Sequence, residues 1–292
     1  MKMQSTIIAL TLTGCLSAAT APVIAQEHDT PAPPRLKWSF SGPFGRYDQA
    51  QLQRGFKIYK EVCSACHSIQ MLAFRNLADP GGPGFSEAQA AAVAAEYKIK
   101  DLDDKGEPIE RTGRLADYFP SPFANELAAK AAHGVAPPDM STLAKARTYE
   151  RGFPWFVIDV VTQYQEQGPD YIAALLKGYE EPPTGFQLPS GVQYNKYFPG
   201  HTIAMPPTLQ DGQVTFDDGA PQTLDQYSKD IAAFLMWVAE PHMVARKRIG
   251  FQVMIFLIVL AGLMYFTKKK VWYEVEKPRE IAHGPDPRKT VV

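Results

Sequence analysis

Apolar residues return every three to four positions at Leu52, Phe56 and Tyr59 with polar neighbours between them, the repeat of a helix that buries one face. Asp48 is placed to cap that helix, the pattern runs to about Val62, and Gly55 beside Phe56 leaves room for another helix to approach. A second helix is predicted behind Ser86-Glu87-Ala88-Gln89, a capping box, and continues through an alanine-rich stretch to about Lys98. Shorter helices are predicted from Asn125 to His133, stopped by Gly134, and from Pro154 to Gln165 and Pro169 to Lys177, each with proline near its first turn. The most regular pattern comes late: Thr223 and Gln226 cap a helix whose Ile231, Phe234, Leu235 and Val238 form one stripe, until Pro241 interrupts it. Between these stretches the chain is rich in Pro, Gly and polar residues. Gln26 to about Tyr47 reads as an extended lead-in, Pro80 to Gly84 as a loop, and Gly178 to Asp211 as irregular chain wrapped on a core. The predicted class is all-α, a helical domain with long loops.

One run has no polar face at all. Ile249 to Phe266 contains no charged residue, follows Arg246-Lys247-Arg248 and precedes Lys268-Lys269-Lys270. As a helix it reaches about 27 Å, close to the hydrocarbon thickness of a bilayer, and its basic flanks argue against the alternative of a buried core helix. At the other end, Lys2, the apolar Ile7–Leu12 and Val23-Ile24-Ala25 read as a secretory signal too short to span a membrane. Leu12-Thr13-Gly14-Cys15 offers a competing reading, a lipoprotein cleavage box. The organisation expected is a signal peptide at 1–25, an exported domain at 26–245, an anchor with basic flanks at 246–270 and a tail at 271–292. Lys277, Arg279, Arg288 and Lys289 place that tail in the cytoplasm, so the domain faces the periplasm from a bacterial inner membrane.

The net charge of −1 over 292 residues excludes the basic surface that a nucleic-acid partner requires. Asp101, Asp103, Asp104, Glu107 and Glu110, gathered around Gly106, read either as a solvated acidic loop or as a docking surface for a basic protein.

The chemistry lies behind the first helix, in Cys63-Ser64-Ala65-Cys66-His67. Two cysteines two residues apart with histidine directly after them form a c-type haem attachment site: each thiol adds to one porphyrin vinyl group, and the imidazole is held against the iron. A zinc site would need further Cys or His pairs, and only Cys15 remains; a dithiol oxidoreductase would need a thioredoxin-like pattern, and none is visible. His67 leaves one axial position to fill. Met205, in Ile203-Ala204-Met205-Pro206-Pro207, sits in a proline-stiffened loop late in the domain and is the candidate; His201, His133 or an open position are the alternatives. Ala136-Pro137-Pro138-Asp139-Met140-Ser141 is a rigid turn short of N–H donors, suited to a wall beside a flat cofactor.

Taken with Arg54-Gly55-Phe56, Asp117-Tyr118-Phe119-Pro120, Pro137-Pro138-Asp139-Met140-Ser141, Glu181-Pro182-Pro183-Thr184-Gly185, Tyr197-Phe198-Pro199-Gly200, Ala204-Met205-Pro206-Pro207, Phe216-Asp217-Asp218-Gly219 and Ala239-Glu240-Pro241, the chain resembles the cytochrome c1 family, the haem subunits of quinol:cytochrome c oxidoreductases. The resemblance implies a monohaem cytochrome c-like helical domain with a single C-terminal transmembrane helix, carrying one covalently bound haem c. It implies thioether bonds at Cys63 and Cys66, axial ligands at His67 and Met205, Arg147 and Tyr171 near a haem propionate, and Pro137 and Pro138 flanking the haem edge. It further implies an electron-transfer subunit with no catalytic residue of its own. Its partners would be cytochrome b, the Rieske iron–sulfur protein and a soluble cytochrome c, in a dimeric complex, with Asp217 and Asp218 joining the acidic docking surface. Three departures stand out: Met140 where leucine is usual, Lys196 where many members have proline, and a stretch from Thr148 to about Gly168 longer than in mitochondrial members.

Overall fold

A computed structural model describes residues 30–149, 151–162 and 164–276. The signal peptide, Cys15 and the basic residues from Lys277 onward lie outside the described residues.

Helix α1, Gln49–Glu61, starts where Asp48 accepts a hydrogen bond from the Gln51 amide and buries Leu52, Gly55, Phe56, Ile58 and Tyr59. It packs against the late helix α7, Leu224–Ala239, and Gly55 is the reason they come so close: a Cβ there would stand 2.2 Å from the Asp230 carbonyl oxygen and 2.5 Å from the Phe234 Cβ. The expected close approach is thus real. Helix α2, Glu87–Ala95, begins with the full capping box of Ser86 and Gln89. It stops short of the expected Lys98, because strands β1, Lys98–Leu102, and β2, Pro108–Thr112, pair antiparallel from Lys98 opposite Thr112 to Leu102 opposite Pro108. The acidic stretch is therefore a hairpin, turned at Gly106 with φ +83° and braced by the Asp103 carboxylate, which accepts from the Lys105 and Glu107 amides at 2.8 Å each.

Helix α3, Glu126–His133, is capped by Asn125 and ended by Gly134 with φ +77°. The short α4, Leu143–Ala146, packs under α6, Gln167–Lys177, with α5, Trp155–Thr162, between them in sequence. A Cβ on Gly168 would sit 1.7 Å from the Ala144 carbonyl oxygen, so α6 must start with glycine there. Its Pro169 falls in the first turn, where the missing N–H has no helical partner to lose. The loop after α6 contains a two-residue ladder, β3 (Gln193–Tyr194) with β4 (Thr202–Ile203), and a single bridge between Tyr179 and Asn195. Helix α7, Leu224–Ala239, begins at Thr223 as expected and is the centre of the domain, buried from Tyr227 to Val238 save Lys229. It contacts α1, α4 and α6.

The lead-in is not merely extended. Trp38, Phe40 and Tyr47 are part of the core, and the buried Asp170 of α6 accepts from the Leu36 amide at 3.0 Å, the Trp38 indole at 2.8 Å and the Tyr164 hydroxyl. Aromatics spaced among prolines carry no helical or strand period, so their burial was invisible to patterning. Beyond Pro241 the last helix, α8, Met243–Glu276, leaves the domain; its apolar window has mean hydropathy 2.3 and none of it is buried. At 34 residues it is about 51 Å long, enough to cross a bilayer and extend past it. Among the described residues the chain is predominantly helical, as expected, with two short hairpins added.

Candidate haem-attachment site

Helix α1 ends into a single 3₁₀ turn, Cys63–Ala65, in which the Cys66 and His67 amides both donate to the Cys63 carbonyl, at 3.1 and 2.9 Å. The turn packs two thiols and an imidazole into one corner, and both thiols are free and partly buried. Burial pushes the Cys63 thiol up to about 12. The backbone of the turn is held by Tyr59, whose hydroxyl donates to the His67 carbonyl at 3.1 Å.

The imidazole is oriented from across the sequence. His67 Nδ1 lies 2.8 Å from the Pro138 carbonyl oxygen. A carbonyl can only accept, so Nδ1 carries the hydrogen and Nε2 keeps its lone pair free for a metal. Burial holds this histidine below its ordinary range, against the opposing pull of that hydrogen bond, so it is neutral at pH 7.

Pro138 is itself tied down. The Met140 amide donates to the Ser68 carbonyl at 2.8 Å, and the Asp139 carboxylate accepts from the Ser68 hydroxyl (2.7 Å), the Gln70 amide (2.9 Å) and the Ser141 amide (2.8 Å). The Ser141 hydroxyl in turn accepts from the Met71 amide at 3.1 Å. Burial pushes the Asp139 carboxyl up, but these donors outweigh it and hold the group below its ordinary range. The rigid turn was legible in the sequence; that Asp139, Ser68 and Ser141 sew it to the attachment turn was not.

Met205 is half-buried, two residues beyond β4, and its carbonyl accepts from the Tyr179 hydroxyl at 2.9 Å. Its neighbours Pro206 and Pro207 have no N–H to bond elsewhere. Among the described residues no hydrogen bond joins this loop to the Cys63–His67 turn; each is held by its own partners. The rival His201 is used structurally, with its ring stacked on Tyr194 and Nδ1 3.3 Å from the Asn195 carbonyl. His133 is exposed at the end of α3, edge-on to Phe123 and within electrostatic reach of His67. Arg147 is exposed, forms no ion pair among the described residues, and lies close enough to Tyr171 on α6 to act on its hydroxyl. An unpaired guanidinium of this kind fits a carboxylate brought by a ligand. Pro137 is half-buried and Pro138 exposed beside the imidazole. No three His, Cys, Asp or Glu side chains among the described residues gather as a metal site.

The acidic surface is only partly free. Arg111 pairs with Asp101 at 2.5 Å and grips both oxygens of Asp117, while Arg54 reaches Asp218 at 2.5 Å and the buried Asp230 at 2.7 Å. Asp104, Glu107, Glu110 and Asp217 make no ion pair among the described residues.

Two thiols and an imidazole on one turn, the imidazole presenting Nε2 and a thioether held on a separate stiff loop, form a donor set that fits haem. With a bare apolar helix leaving the same domain, they define a membrane-anchored cytochrome of the c type. The chain belongs to the cytochrome C1 family, whose sequence profile matches residues 38–275. It is 50% identical over 274 residues to cytochrome c1 of Blastochloris viridis, covering 93% of this chain and 96% of that one. It is 60% identical over 273 residues to the cytochrome b/c1 protein of Bradyrhizobium diazoefficiens, covering 92% of this chain but 40% of that longer one. The mitochondrial cytochrome c1 heme protein of Saccharomyces cerevisiae is 40% identical over 268 residues.

Proposed function

We propose that the chain is the electron-transfer subunit of a quinol:cytochrome c oxidoreductase. It takes electrons from a Rieske iron–sulfur protein and passes them to a soluble cytochrome c, beside cytochrome b in a dimeric complex. The observation that carries this reading is the His67 imidazole, pinned through Nδ1 to the Pro138 carbonyl so that Nε2 keeps its lone pair free, on the same turn as two free thiols.

Bound here, haem c supplies a one-electron iron couple. Cys63 and Cys66 would fix it through thioethers and His67 and Met205 would be its axial ligands. Arg147 and Tyr171 would meet a propionate, with Pro137 and Pro138 along the haem edge. Methionine ligation raises the reduction potential, as a carrier on the oxidising side of a chain requires. The chain itself performs no substrate chemistry; its residues orient the imidazole and leave acidic side chains free for a basic acceptor.

Residues 1–25 would export the domain 26–245 to the periplasm, with 246–270 as anchor and 271–292 cytoplasmic. Purifying the protein from its native membrane tests this. We expect co-purification with a di-haem cytochrome b and a Rieske protein, and the near-infrared band of a Met-ligated ferric haem. A haem that lacks that band and readily binds carbon monoxide when reduced would mark an enzyme or gas sensor instead.

A further inference from the structure

Helix α5 is built inside out. Its single charged residue, Asp159, is only 6% exposed and accepts from Arg35 at 3.1 Å, from Gln167 at 3.3 Å and from Arg151. The residues turned outward are Trp155, Phe156, Val157 and Ile158, at 40% exposure or more, behind Phe153 at 82%. A water-facing helix shows the reverse arrangement. A run of contiguous exposed apolar side chains such as this one marks an interaction site.

The surroundings of α5 say what covers it. Thr162, at its end, shares a shallow cleft with Ser41 and Gly42. The Gly42 carbonyl accepts from Lys247 of α8 at 2.6 Å, and Phe44, 71% exposed, meets Phe251 of α8 edge-on at 5.4 Å between ring centroids. Just beyond α5, Gln165 lies 3.4 Å from the Arg246 guanidinium. The bare face of α5 is therefore continuous with the point where α8 begins its uncharged run.

We propose that α5 is a second membrane contact, an interfacial helix lying in the headgroup and upper acyl region of the leaflet that α8 enters. Four consecutive exposed apolar positions cover most of the helix circumference, which suits a fluid apolar solvent better than a shaped protein groove. Trp155 has the amphipathic ring favoured at such depth. Because Asp159 is fully partnered inside, the helix asks nothing polar of its surroundings. A second contact beside the stiff junction would fix the height and tilt of the electron-transfer site above the membrane.

The inference rests on α8 being the anchor, and the test separates the two. Nitroxide labels are placed on Phe156→Cys and, independently, Trp155→Cys in the full haem-bearing chain, with Asp104→Cys as a water-exposed reference and Leu257→Cys as an anchor reference. In phosphatidylcholine–phosphatidylglycerol vesicles, labels at 155 and 156 should collide with dissolved oxygen, and with a water-soluble nickel chelate roughly tenfold less than the Asp104 label. If Leu257 is lipid-embedded while 155 and 156 meet the chelate freely, the α5 proposal fails alone; if they become shielded only in the assembled complex, a neighbouring subunit covers the face and the lipid assignment is wrong. Shielding from both probes in vesicles would mean self-association and overturn it too. A chelate-exposed Leu257 would overturn the anchor and the proposal together.

Discussion

His67 can ligate through only one of its two nitrogens, and Pro138 decides which. That choice depends on Asp139, whose carboxylate gathers three donors from the segments it joins. Asp139→Ala should therefore cost about 2–3 kcal/mol of stability, since three amide and hydroxyl donors lose a charged acceptor. It should also shift the reduction potential as the imidazole loosens, measurable by denaturant unfolding and redox titration. Met205→Leu separates ligation from attachment: haem should remain covalently bound while the potential falls by a visible part of the ~0.8 V range that axial ligands command. An unchanged potential would mean that Met205 is not the ligand. The attachment motif is legible in sequence because two thiols and an imidazole meant for one porphyrin must be spaced locally. The Pro138 contact was not legible, because it spans 71 positions of sequence.

At the scale of elements, caps and stripes identified α1, α2, α3 and α7 because each signal is complete within a few residues. Gly55→Ala should cost about 3 kcal/mol by thermal unfolding, because the added methyl meets the α7 backbone rather than a yielding side chain. The hairpin β1–β2 escaped notice, since both of its faces meet water and its strands carry charge instead of an apolar alternation. It is tethered by Arg111, whose hydrogen bonds hold the Asp117 carboxyl down at about 2. A carboxyl lowered in the folded state contributes stability above its unfolded pKa of about 3.9, and that contribution is lost as pH falls toward 2. Asp117→Asn should accordingly be less stable than wild type at pH 6 and flatten the pH dependence of stability between about 4 and 2.

For the whole molecule, the junction between domain and anchor is stiff. Tyr47 donates to the carbonyls of Met236 and Glu240, Arg246 pairs with Glu240, and Lys247 caps the carbonyls of Phe40 and Gly42. Burial, with the Glu240 carboxylate alongside, pushes the Tyr47 hydroxyl far up, so it remains a donor at any working pH. Among the described residues the free negative charge of this acidic surface is carried by Asp104, Glu107, Glu110 and Asp217, because Asp101 and Asp218 are already matched by arginines and the Asp103 carboxylate is taken up by the turn amides. Neutralising those four should slow electron delivery to the proposed basic soluble acceptor roughly tenfold at low salt and little at high salt, in stopped-flow kinetics. Neutralising Asp218 instead should act mainly on stability, by weakening the hold of Arg54.

From the chain alone came the attachment chemistry, the main helices and the uncharged span, because thioether spacing, capping and membrane thickness all act over contiguous residues. Tertiary structure alone decided which imidazole nitrogen is presented, which carboxylates remain unpaired and which way α5 turns its apolar side. Each of those rests on partners far apart in sequence, Arg54 and Asp218 being 164 positions apart, and only packing brings such groups within reach.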